Sequence, residues 1–324
     1  MPTVAPLDLS GYCIAARFIG ETPFFALADG SLHRLDRGHQ TSQPHDGILS
    51  ATVEQGGKAL ITGGEDGKVI RTTEDGTSET LAEFGSKWVS HVASGPSGAV
   101  AYAAGRSVKV RARDGKTKGF DLPRTVEGIA FAPKGLRIAL ARYNGVTLHW
   151  AGMDAKPLEL EWKGSHTGVT FSPDGKFLVT AMQENALHGW RLSDNNDMRM
   201  SGYPAKIKSL SWSVKGKWLA SSGAPAAIVW PFTGKDGPMG KAPLELGTRG
   251  DALVTTVACH PNDEIVAIGF NDGMVLAARF ADQKEVLLRR PGKGAITSLD
   301  WDAKGRLVAF GSDAGDCGLI DISA

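Results

Sequence analysis

The chain has 324 residues and a formal net charge of +1, with 42% hydrophobic and 22% charged residues. That balance argues against nucleic acid as the partner, because no basic run reaches five residues and no aromatics are interleaved with basic ones. No stretch approaches the roughly 18 apolar residues of a membrane helix, and the N-terminus lacks the basic and apolar regions of a signal peptide, so neither a membrane nor secretion is expected.

Pro6-Leu7-Asp8-Leu9 opens a pattern that returns as Pro157-Leu158-Glu159-Leu160 and Pro243-Leu244-Glu245-Leu246. Each copy leads into an alternating strand, a Gly-containing turn, a second strand, a tight turn and a third strand. The most regular copy runs from Gly168-Val169-Thr170-Phe171 through Ser172-Pro173-Asp174-Gly175 and Phe177 to Ala181, then past Glu184-Asn185 to Trp190. Aligned on its first turn, the chain places first-strand anchors at Phe18, Val53, Ser94, Phe131, Phe171, Trp212, Cys259 and Trp301, spaced 35 to 47 residues apart. A period of roughly 40 residues with four short strands suits a propeller blade. The expectation is an all-β, closed β-propeller of four-stranded antiparallel blades, in one domain over residues 1–324. Eight anchors predict eight blades, with seven as the alternative, and the weakest repeat is the first, where Gly20-Glu21-Thr22 makes a poor turn.

Turn residues support the strands. Asp29-Gly30, Asp66-Gly67, Asn144-Gly145 and Asp272-Gly273 separate second from third strands, and Asp75-Gly76 and Asp114-Gly115 separate third from fourth. Such pairs suit tight hairpins in which both central residues take φ > 0. The N-terminal segment 4–9 has an outer-strand pattern with no upstream partner, so it should complete the last blade, with Leu7 and Leu9 facing the packing surface and Asp8 the solvent. That would also make Cys13 and Cys317 near neighbours. An odd count of three cysteines without metal or redox spacing predicts free thiols and a reducing, cytoplasmic setting.

The repeats resemble the WD-repeat family. The resemblance lies in Val169-Thr170-Phe171-Ser172-Pro173-Asp174-Gly175-Lys176-Phe177-Leu178, in Thr62-Gly63-Gly64-Glu65-Asp66-Gly67-Lys68-Val69, and in third-strand tryptophans Trp150, Trp190 and Trp230. It covers essentially the whole chain. Leu35, Thr72, Arg111, Ala278 and Ile320 replace the Trp elsewhere, and the Gly-His pair before the first strand is reduced to offset Pro44-His45 and Ser165-His166. The family's Asp-His-Ser-Trp hydrogen-bond network is therefore expected to be incomplete in every blade.

The resemblance implies a scaffold or recognition module that binds a protein or peptide on one propeller face, as a cytoplasmic monomer without a cofactor. The implied partner-binding positions, in the turns between second and third strands and the loops entering first strands, carry Glu65, Trp88, Arg142, Tyr143, Gln183, Lys206 and Asn271. Trp88 either packs at a blade junction or anchors a partner. Arg142, after the apolar run Leu136 to Ala141, should point out of its sheet. A metal-handling alternative rests on His33, His39 and His45, whose spacing of six and six matches no zinc pattern. His149 and His188 read as repeated structural positions. A small-molecule or catalytic site at a central channel is a third reading, although no catalytic motif is present. Pro231 to Ala242, in the longest interval between repeats, carries two Pro and three Gly and is either a binding insertion or a tolerated surface loop.

Overall fold

The computed structural model describes residues 2–323. The described residues form antiparallel sheets, and the one helical piece among them is a 3-10 turn, Pro96–Gly98. In chain order, the first sheet contains Cys13–Ile19, Thr22–Leu27, Leu32–Leu35 and His39–Ser42. The second contains Ile48–Val53, Ala59–Gly64, Lys68–Thr73 and Ser78–Glu83, and the third His91–Ser94, Val100–Ala104, Ser107–Arg111 and Thr117–Asp121. The fourth has six strands, Val126–Phe131, Arg137–Trp150, Leu158–Phe171, Phe177–Met182, Ala186–Arg191 and Asn196–Met200. The fifth contains Leu210–Trp212, Trp218–Ser221, Ala227–Pro231 and Leu244–Leu246, and the sixth Val254–Cys259, Ile265–Phe270, Val275–Arg279 and Glu285–Arg289. In the seventh, Thr3–Asp8 joins Ile296–Trp301, Leu307–Ser312 and Asp316–Asp321.

Counted as hydrogen-bonded sheets, the blades number seven, not the expected eight. Seven of the eight anchors lie in the first strand of a sheet, but Phe171 lies in the third strand of the six-stranded sheet that Phe131 opens. The reason is local. Arg137–Trp150 doubles back at Asn144-Gly145, both at positive φ (+66° and +129°), with Arg142 Nε donating to Thr147 Oγ1 at 3.0 Å across the bend. Tyr143 then pairs with Ser165 and, after a register shift, Gly145 with Glu161, so the ladder carries over into Leu158–Phe171. At the corresponding position between the second and third sheets there is no ladder pairing, and the backbone link is the loop bond from Val89 N–H to Gly64 O at 3.0 Å. The first repeat, despite its poor turn, forms an ordinary four-stranded sheet.

The hairpin expectation needs one correction. Only Asn144-Gly145 has both central residues at positive φ; in the Asp-Gly turns the glycine alone does. The aspartates instead accept the backbone N–H two residues on, as Asp66 Oδ1 does from Lys68 (3.1 Å) and Asp272 Oδ1 from Met274 (3.0 Å). That bond closes the turn without left-handed strain on a residue bearing a Cβ. Gly67 is constrained twice, by φ +76° and by Gly85 O, which would lie 2.0 Å from an added Cβ.

The described residues fall into two compact units, one made of residues up to Leu27, His33–His39 and those from Met200 on, the other of Ala28–Leu32 and Gln40–Arg199. In the first unit the N-terminal strand completes the seventh sheet in antiparallel register, Thr3 opposite Asp321 through Asp8 opposite Asp316. Leu7 and Leu9 pack on a cluster of Cys13, Phe18, Phe25, Leu27, Ala309 and Cys317, while Asp8 is exposed, as expected. Cys13 and Cys317 are fully buried neighbours, and all three thiols are free. A hydrogen bond with Cys317, aided by burial, pushes the Cys13 thiol well above its ordinary range. In the second unit, Ala139, Ala141, Val146, Leu148 and Leu160 pack against Phe171, Leu178 and Trp190. These are the inward positions of alternating strands, so period-two patterning becomes face-to-face packing.

Candidate functional site

The candidate positions sit where the sheets turn. In the second unit Glu65 occupies the turn after Ala59–Gly64, Trp88 the loop entering His91–Ser94, Arg142 and Tyr143 the bend of Arg137–Trp150, and Gln183 the turn after Phe177–Met182. The bond from Val89 N–H to Gly64 O sets Trp88 beside the Glu65 turn. Ser165 joins the other pair, facing Tyr143 in the ladder and accepting the Gln183 N–H at 2.9 Å. Glu65, Trp88, Tyr143 and Gln183 are all exposed, Trp88 to 60% and Tyr143 to 49%. Trp88 is therefore not the packing residue that one reading allowed. Its backbone is nevertheless held, because its loop lies on Gly67 with Phe84 N–H bonded to Gly67 O at 2.8 Å.

Arg142 departs from expectation. It is buried, 8% exposed, and points into the sheet rather than out of it. Its guanidinium donates to Thr147 Oγ1 and Tyr143 O, each at 3.0 Å, and to Glu159 Oε2. Thr147 donates to the same carboxylate oxygen at 2.8 Å. The fork of donors suits a carboxylate, and the arginine braces the bend beneath Tyr143.

In the first unit Lys206 is exposed in the loop before Leu210–Trp212. Asn271 is exposed but has a structural task, its Oδ1 accepting the Leu253 N–H at 2.9 Å and so fixing the loop into Val254–Cys259. Asn144 does the same for Gly164 N–H (3.2 Å) in the second unit, and Asp313 for Ala295 N–H (2.8 Å) in the first. This recurring clamp between a turn and the next loop was not anticipated. The Asn or Asp at those three turns was its signal.

The histidines split. His33 Nδ1 and His39 Nε2 meet at 2.9 Å with stacked rings. His45 is committed to other partners, its Nδ1 to Asp66 Oδ1 at 2.9 Å and its Nε2 to Thr62 Oγ1 at 2.8 Å. Among the described residues no group of three or more His, Cys, Asp or Glu side chains is disposed to hold a metal ion. Burial works to raise the Asp66 carboxyl, but bonds from His45 and the Lys68 amide outweigh it and hold it below its usual value. His188 is buried, stacked on Trp162 at 4.0 Å and set edge-on to Trp190 at 4.7 Å, a structural role as expected. His149 rests on the Phe120 ring at 4.3 Å.

The family's side-chain network is incomplete in both sheets where it is traced, as expected, but most of its members are present. In the fifth sheet Trp230 Nε1 donates to the Tyr203 hydroxyl at 2.6 Å. Ser221 spends its own proton on Ile228 O (2.9 Å), so Tyr203 donates to Ser221 Oγ, also at 2.6 Å. Tyrosine takes the place of the histidine. In the second sheet His45, Asp66 and Thr62 supply three of the four members, with Thr72 where the Trp would stand. Residues 257–324 match the family model described as the Anaphase-promoting complex subunit 4 WD40 domain. The matched segment is similar to a WD40 domain, and the four-stranded antiparallel sheets are those of propeller blades. The chain is also similar to the crystal structure of a computationally designed protein, Ika8, with 17% identity, 97% of this chain and 98% of that chain covered, and a TM-score of 0.79. At that identity the likeness speaks for the fold alone. No curated protein matched the chain.

Proposed function

We propose that this WD-repeat protein is a non-catalytic scaffold that docks a protein or extended peptide on the turn-bearing end of its second unit, with Trp88 and Tyr143 as the two anchors. The observation that carries this reading is the pair of exposed aromatics on backbones fixed by hydrogen bonds. Large aromatic side chains left in water cost the free protein apolar hydration, and on a rigid platform they lose little entropy when covered. Glu65 and Gln183 would supply the polar rim around them. The matched family model is named for a subunit of a multiprotein complex, which is in keeping with an assembly role. Three free thiols fit work in a reducing compartment such as the cytoplasm. A net charge of +1 favours a protein partner over nucleic acid. The test is affinity capture from native cells with wild type and a Trp88→Ala/Tyr143→Ala variant of equal stability. Partners retained by wild type and lost by the variant support the reading, and identical captures refute it.

A further inference from the structure

The second unit has a second concave feature, at the opposite ends of the strands from Trp88. A cleft of about 470 Å³ lies between the second and third sheets. One wall is the turn Glu54–Lys58 with Arg71 and Glu79 from the outer strands of the second sheet. The other is the turn Pro96–Gly98 with Arg111 and Arg113 from the third.

The charge of this cleft does not balance. It is lined by four cations, Lys58, Arg71, Arg111 and Arg113, and by two carboxylates, Glu54 and Glu79. Both carboxylates are already taken by one arginine. Arg71 places Nε and a terminal nitrogen on Glu54 at 3.1 and 2.9 Å, and its other terminal nitrogen on Glu79 at 3.3 Å. The bonds to Glu54, despite burial, raise the Arg71 pKa, and they hold the guanidinium on that carboxylate. No carboxylate among the described residues pairs with Lys58, Arg111 or Arg113. The lining therefore carries two surplus positive charges, with two guanidinium groups and an ammonium among the unpaired donors.

We infer that this cleft between the second and third sheets binds a phosphate group. A phosphate monoester carries about −1.5 to −2 charge near neutral pH, close to the surplus, and its oxygens accept forked bonds from guanidinium. A lone carboxylate would leave half the surplus in place. The phosphate can belong to a small phosphate ester or to a phosphorylated side chain of a partner. The chemistry at the cleft is the same.

Isothermal titration distinguishes these sources with four probes: glycerol phosphate as a small phosphate monoester, a phosphoserine peptide, the same peptide unphosphorylated, and succinate. Wild type is compared with Arg111→Gln/Arg113→Gln, and with Arg290→Gln as a charge control in the other unit. Circular dichroism and urea midpoints establish that each variant is folded, and Lys58→Gln provides a second, milder lesion. The inference expects saturable binding of a phosphate probe, weakened roughly tenfold or more by the double substitution and unchanged by Arg290→Gln. Tighter binding of glycerol phosphate marks a free phosphate ester, and tighter binding of the phosphopeptide marks a partner's side chain; each supports the site. Absence of saturable binding, equal binding by the folded double variant, or equal affinity for succinate overturns it.

Discussion

Leu7 lies directly opposite Cys317 in the antiparallel ladder that joins the N-terminal strand to the last strand of the chain. Cys317 touches the cluster holding Cys13 of the first sheet, and Leu7 and Leu9 cover that cluster. The strand Thr3–Asp8 is thus both the fourth strand of the seventh sheet and part of the wall against the first.

Removing residues 1–10 is therefore expected to destabilise the protein by several kcal/mol, on the order of 3–5, from lost ladder bonds and two uncovered leucines. Trimming the segment between Thr233 and Lys241 should cost far less, provided Phe232 is kept, because Phe232 is buried against Trp212. Urea unfolding of the two deletions decides. An unchanged midpoint for the N-terminal deletion would show that the strand contributes nothing.

Tyr203→Phe should cost about 1–3 kcal/mol with little change in packing volume. The substitution strands the Trp230 indole N–H and removes the bond to Ser221. Burial already pushes the Tyr203 phenol up to about 12, so the hydroxyl stays protonated through the working range. Chemical denaturation at neutral pH, with Trp230 fluorescence as a local probe, measures the loss.

Acid should weaken the protein before its carboxylates titrate. Burial, with help from His166 and Arg199, lowers His188 from 6.5 to about 3. Burial also lowers His91 and His166. The unfolded chain then binds more protons than the folded one between about pH 6.5 and 3. Stability is complete above 6.5 and falls as the pH drops through that window, by about 2 kcal/mol between pH 7 and 5 for each histidine held fully neutral. His188→Phe, which keeps a ring against Trp162, should flatten this dependence. Urea midpoints at pH 7 and 5 that fall equally for both proteins would exclude His188 as a source.

Arg142→Ala and Tyr143→Ala should separate stability from docking. The first removes a buried guanidinium from Thr147 and Glu159 and is expected to cost about 1–3 kcal/mol. The second removes an exposed ring and should leave the melting temperature nearly unchanged. Partner capture should respond to Tyr143→Ala at full stability. A large stability loss for Tyr143→Ala would mean that the ring supports the fold instead.

The sequence by itself determined the strand pattern, the repeat anchors, the role of the N-terminal strand and the proximity of the free thiols Cys13 and Cys317. All of these follow from period-two alternation and turn chemistry, which are local and repeat along the chain. It also placed Trp88 and Tyr143 in loops, although only the structure shows them exposed. Tertiary structure decided the rest. Phe131 and Phe171 share one sheet because of the Tyr143–Ser165 pairing, a contact between residues far apart in sequence. Arg142 turned inward because Glu159, seventeen residues on, offers it a carboxylate. Tyr203 replaced a histidine because Trp230 and Ser221 lie within reach of its hydroxyl, and no spacing rule announces a partner that distant. Alternation sets which side of a strand a residue takes. The side chain waiting on that side is set by the fold, and it separates a buried brace from an exposed anchor.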